Sequence, residues 1–134
     1  MIAAPSPASG GNAPHGLVCI VEDDESVADS LRVFLETYDF QIAVFASGMS
    51  FLADRRHCEA GCLVIDYHMP GMNGLDVVAE LRREGRCPPT ILVTGRLDDA
   101  IAERARRAAI AGVLEKPLRV ATLVGMIRGI LANR

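Results

Sequence analysis

The 134-residue sequence has no tryptophan, and aromatic residues make up only 4% of it. So few rings leave little to sandwich a flat cofactor such as a flavin. Long apolar runs are also missing. The longest strictly apolar stretches, such as Leu17–Val21, are a few residues long, whereas a membrane-spanning helix needs about 20. Residues 1–16 lack a basic start followed by a long apolar block, so no secretory signal is expected. The four cysteines (Cys19, Cys58, Cys62 and Cys87) form no C-x-x-C pair. A metal site from His57, Cys58 and Cys62 lacks a credible fourth ligand nearby. Cys19 and Cys62 lie inside apolar runs, where a thiol behaves as a small buried hydrophobe. These absences predict a reduced, cytoplasmic protein. Charge of one sign is scarce too: 14 basic against 17 acidic residues leave a net charge of −3. That is no footprint for nucleic acid, and no direct nucleic-acid or membrane binding by this chain is expected.

What is present suits one globular domain. Half the residues are hydrophobic and 23% are charged, and a chain of this length can bury roughly two-thirds of its unfolded surface. Residues 1–16, rich in Ala, Pro, Gly and Ser, are expected to form a flexible tail, with the folded unit running over residues 17–134. From Leu17 onward short apolar runs alternate with helical patterns. Strands are predicted at Leu17–Val21, Phe40–Phe45, Cys62–Ile65, Thr90–Val93 and Val113–Leu114. Helix spacing relates Val27, Leu31, Phe34, Leu35 and Tyr38. It also relates Leu75, Val78, Ala79 and Arg82, then Ile101, Ala105, Ala108 and Ala109, and finally Leu123, Ile127, Ile130 and Leu131. A shorter helix is expected from Ser47, as N-cap, to about Arg55. Phe45 and Phe51 read as core.

Five strands alternating with five helices predict an α/β fold, a doubly wound parallel sheet of (βα)5 type. Two doubly wound orders are common; five strands suit the flavodoxin-like one, 2-1-3-4-5, although periodicity alone does not choose between them. Ligands of such sheets bind beyond the carboxyl ends of the strands. Those ends carry Glu22-Asp23-Asp24-Glu25, Asp66, Thr94-Gly95 and Lys116-Pro117. Taken singly each has a plain use: an acidic helix entry, a turn, a turn, and a proline at the first helical position. Converging on one rim, they bring carboxylates, a hydroxyl and an ammonium together. Clustered carboxylates repel one another unless a cation joins them, and an all-oxygen set favours Mg²⁺. The open positions of that ion can take phosphate oxygens, with Lys116 as a point charge and Thr94 as a hydroxyl donor. A carboxylate so placed can attack phosphorus.

These residues resemble the receiver domain of bacterial two-component response regulators, the CheY-like family, over about Leu17 to Leu131. The most specific stretch is Asp66-Tyr67-His68-Met69-Pro70-Gly71-Met72-Asn73-Gly74, which matches the family's D-x-x-M-P-x-M-x-G loop. The acidic residues, Thr94 and Lys116-Pro117 stand at the separations the family shows. The resemblance implies that Asp66 accepts a phosphoryl group from a phosphohistidine of a sensor histidine kinase or phosphotransfer protein. It implies that Asp23, Asp24, Asp66 and the backbone carbonyl of His68 hold Mg²⁺, and that Lys116 and Thr94 contact the phosphoryl oxygens. It further implies a cis Lys116–Pro117 bond, packing by Met69, Met72 and Leu75, and a signalling domain, monomeric or weakly dimeric, rather than a metabolic enzyme.

The pattern departs from the family in one region. Receivers carry Tyr or Phe three residues before the fifth-strand lysine, and this position is Val113. The usual Gly-Ala upstream reads Ala109-Ile110, and the Phe after Lys-Pro is Leu118. The phosphoryl chemistry is therefore expected intact and the output altered, as in a phosphoryl carrier or sink. Two alternatives share parts of the pattern. A haloacid-dehalogenase-type phosphatase also uses an Asp nucleophile and Mg²⁺, but needs a second Asp where His68 stands. An FMN-binding flavodoxin needs a hydroxyl- and glycine-rich phosphate loop where Glu22–Glu25 would repel phosphate.

Overall fold

The structure, a computed structural model of the chain, describes residues 16–54 and 59–133. Residues 1–15 of the expected tail, and Arg55, His57 and Cys58, lie outside the described residues. Five strands are β1 (Leu17–Val21), β2 (Gln41–Phe45), β3 (Ala60–Asp66), β4 (Thr90–Thr94) and β5 (Gly112–Glu115). Five helices are α1 (Glu25–Glu36), α2 (Gly48–Ala53), α3 (Gly74–Arg83), α4 (Asp99–Arg107) and α5 (Val120–Ala132). The strands are all parallel, in the order β2-β1-β3-β4-β5. This is the predicted doubly wound sheet, and no described helix is long and apolar enough to cross a membrane.

Alternation along each strand splits the core in two, because successive side chains leave a strand on opposite faces. Cys19, Val21, Leu63, Ile65 and Leu92 meet Phe51, Leu75, Val77, Leu81, Ile101 and Ala105 from α2, α3 and α4. Val18, Ile20, Cys62, Val64, Ile91 and Val93 meet Leu31, Leu35, Leu123, Val124 and Ile127 from α1 and α5. A strand buried on both faces carries no polar alternation, which is why these runs read as continuously apolar. Cys19 and Cys62 fall in opposite layers, both fully buried.

Helix entries are set locally. Ser47 accepts from Ser50 N, Asn73 from Asp76 N and Asp98 from Ile101 N, each at a helix N-terminus. Such caps satisfy backbone donors that have no partner within the helix. Helix exits differ from the sequence expectation. The spacing through Ala109 predicts a longer α4, but the helix stops at Arg107, and Ala109 adopts a left-handed φ of 56°. Likewise α1 stops before Tyr38, as Thr37 turns its hydroxyl onto Phe34 O and Asp39 takes φ 68°. A left-handed residue after the last turn ends a helix whatever the apolar spacing beyond it. The Lys116–Pro117 bond is cis, as expected.

Candidate functional site

Because all five strands run the same way, their carboxyl ends share one rim, and β1 and β3 are neighbours at its centre. Asp66, the last residue of β3, is buried to 6% exposure, and Glu22, the first residue past β1, to 5%. Lys116 reaches both: its Nζ lies 3.2 Å from Asp66 Oδ2 and 3.2 Å from Glu22 Oε1. Carboxylate oxygens of Glu22, Asp23 and Asp66 all lie within 4.8 Å of one another.

Local hydrogen bonding explains which acidic residues turn inward. Glu22 N still donates to Phe45 O of β2, so the strand's hydrogen bonding extends one residue beyond β1 and carries Glu22 onto the rim. Glu22 Oε2 then accepts from Asp24 N at 3.0 Å. Asp24 does not join the group that holds Asp23 and Asp66. Its Oδ1 caps α1, accepting from Ser26 N (3.0 Å), Ser26 Oγ (2.9 Å) and Val27 N (3.2 Å). The sequence contains the signal for this: an Asp immediately before a helical pattern is already claimed as an N-cap. Glu22 takes the inward place beside Asp23 that the resemblance implies for Asp24.

The electrostatics follow. Burial pushes the Glu22 carboxyl above its ordinary pKa, with repulsion from Asp66 adding to it, against the bonds from Asp24 N–H and Lys116. For Lys116 burial works against the ammonium, but attraction to Asp66 and Glu22 outweighs it and the pKa rises. The Ser26 hydroxyl, with the α1 amides, holds Asp24 below the ordinary carboxylate value. The rim thus keeps a charged lysine between two buried acids. Three hard oxygen donors this close fit a small divalent cation such as Mg²⁺.

Thr94 is fully buried at the end of β4. Its Oγ1 donates to Arg96 O (3.1 Å) and accepts from Arg96 N (3.2 Å), and its carbonyl accepts from Lys116 N (2.8 Å). The register that pairs Asp66 with Val93 sets Thr94 one step beyond Asp66 on the adjacent strand. His68 is exposed, its ring edge-on to Tyr67 at 4.8 Å. The loop from Asp66 into α3 needs its glycines. Gly71 has φ 84°, and a Cβ on Gly74 would lie 2.7 Å from Asp66 O.

A family model described as the response regulator receiver domain matches residues 18–128. The response regulator protein TmoT of Ectopseudomonas mendocina is 33% identical over 117 residues, covering 87% of this chain and 53% of TmoT. The transcriptional regulatory protein FixJ of Azorhizobium caulinodans is 32% identical over 116 residues, covering 87% and 55% respectively. The chain thus spans about half the length of these curated relatives. Among solved structures, the response regulator StyR superposes with a TM-score of 0.80 at 32% identity, covering 87% of this chain and 59% of StyR. FixJ-N superposes with 0.78 at 28% identity, covering 88% and 94%.

Proposed function

The chain belongs to the response regulator receiver domain family of two-component signalling, and on that premise we propose that Asp66 is its phosphoacceptor. The observation that carries this is the bridge from Lys116 to two buried carboxylates, one of them Asp66, at the carboxyl rim of the sheet. An Asp66 oxygen attacks phosphorus, the P–N bond to the donor histidine breaks, and the imidazole leaves with that electron pair. Lys116 then exchanges its contact with Asp66 for one with a phosphoryl oxygen. Thr94 supplies a hydroxyl hydrogen bond once it leaves Arg96. Asp23, Asp66, Glu22 and the His68 carbonyl are the proposed Mg²⁺ ligand set, with Asp24 kept as the helix cap. The cation, when bound, neutralises charge that develops on the phosphoryl oxygens. Positioning and charge neutralisation are what such a transfer asks of a protein. The domain transfers a phosphoryl group onto itself and off again, and turns over no separate substrate.

The proposed donor is a sensor histidine kinase or phosphotransfer protein. Beside Lys116 lies an apolar groove of about 360 Å³ between α1 and the segment after β5, lined by Val27, Leu31, Phe34, Pro117, Leu118 and Val120. Phe34 is 54% exposed there, so a helical partner could bury it while presenting its histidine to Asp66. We take the chain to act in the cytoplasm, as a monomer or weak dimer, through protein partners. Acetyl phosphate with Mg²⁺, followed by intact mass measurement, tests the assignment. The parent chain gains one phosphoryl group and Asp66→Asn gains none; equal gain by the variant refutes it.

A further inference from the structure

The β4–α4 loop must move if Thr94 is to meet a phosphoryl group, and the structure shows what holds that loop. Thr94 Oγ1 is closed onto Arg96. Leu97 N donates to Glu115 Oε2 at 3.0 Å. Asp98 caps the first turn of α4 through Ile101 N at 2.8 Å. The loop therefore runs without slack into α4, and shifting Thr94 shifts the helix.

One long-range link opposes that shift. Arg104 of α4 donates through Nη1 to the Tyr67 hydroxyl at 2.9 Å, and its guanidinium carbon lies 6.0 Å from the centre of the same ring. Tyr67 follows Asp66 directly and is itself fixed. Its N donates to Val93 O (2.7 Å) and its carbonyl accepts from Gly74 N (3.1 Å). The ring packs against the same core layer as Val113, alongside Ile101 and Ala105 of α4. Position 113, half-buried, offers only a valine there.

We propose that Tyr67 and Arg104 form the latch that keeps α4 in its resting place, so that occupation of Asp66 works against this pair. The idea rests on Asp66 being the phosphoacceptor. A ligand shifts a two-state equilibrium only by its different interaction with the two states, and the coupling is reciprocal. Weakening the latch must therefore tighten binding of a phosphoryl mimic at Asp66, although neither Tyr67 nor Arg104 touches it.

The test is the affinity of the full chain for beryllofluoride at saturating Mg²⁺, followed by amide chemical shifts. Arg104→Ala and Tyr67→Phe are each expected to bind about fivefold more tightly, the worth of one partly exposed hydrogen bond. The double variant should be no tighter than Arg104→Ala alone, because that change already removes both the hydrogen bond and the ring contact. Unchanged affinity in both variants, or additive gains, overturns the latch. So do shifted α4 amide resonances in the free variants with unchanged affinity, which is what a merely structural bond would give. A parent chain that shows no response at Asp66 instead refutes the phosphoacceptor assignment itself, and the latch with it.

Discussion

The two flanks of Asp66 are built from different material. On the β1 side, two buried acids and a lysine hold one another through charge, with Asp23 close by. On the β4–β5 side, which lends Lys116 to that group, the remaining contacts are single hydrogen bonds or small side chains: Thr94 closed onto its own loop, Leu97 N on Glu115, Val113 where a ring is usual, and Ala109 in a left-handed turn. The charged flank is set for chemistry before any ligand arrives. The β4–β5 side stores its resting state in single hydrogen bonds, which can be exchanged at little cost. On the proposed function, one domain keeps a fixed phosphoryl-transfer site beside the surface proposed to move, since the two draw on interactions of different strength.

The largest expected break of this contrast is Lys116→Ala. It leaves Glu22 and Asp66 facing each other without a cation. Breaking a buried pair costs about 3–5 kcal/mol, and with the lysine side chain 32% exposed we expect about 2–3 kcal/mol. Urea unfolding without Mg²⁺ reads this loss, and added Mg²⁺ should restore part of it by binding the folded state alone. Next comes Gly74→Ala, where a methyl group would press on the Asp66 carbonyl at 2.7 Å. Overpacking of that kind costs about 1–3 kcal/mol, and because it displaces the β3 end it should also slow phosphoryl uptake in an acetyl phosphate assay.

Ala109→Gly probes the β4–β5 side. A left-handed φ costs an alanine about 1–2 kcal/mol, so glycine should raise the thermal midpoint, by about 1 kcal/mol of stability, with uptake at Asp66 unchanged. The smallest effect belongs to Glu22→Gln, which sharpens the charged side through its pH profile. Folded Glu22 titrates above the ordinary glutamate value of 4.5, so the folded state holds its proton longer than the unfolded chain does. The stability this provides is present below pH 4.5 and fades as pH rises through the raised folded pKa. Glutamine, whose single amide oxygen can keep the bond from Asp24 N but whose amide nitrogen cannot accept from Lys116, does not titrate and should remove that decline. Melts across this range, without Mg²⁺, would show the parent falling relative to the variant; parallel curves would refute the assignment.

Much of this was legible in the sequence because it is written in local patterns. The continuous apolar runs mark strands buried on both faces. The strand ends locate the rim, and the loop from Asp66 to Gly74 carries the family's most specific stretch. Element ends were less legible, because Ala109 and Asp39 end their helices through backbone conformations that apolar spacing does not encode.

The sequence alone determined the parallel sheet, the rim, and the meeting there of acids, Thr94 and Lys116, while apolar periodicity did not by itself choose the strand order that the structure shows. Tertiary structure decided which acid turns inward. Asp24 went to the α1 cap and Glu22 to Lys116, a choice that depends on strand hydrogen bonding from Glu22 to β2 and on a lysine 94 residues away. It likewise decided that Arg104 meets Tyr67 across 37 residues. Helix and strand periods follow from each residue's near neighbours, whereas side-chain partners on different elements are fixed only when packing sets those elements against one another.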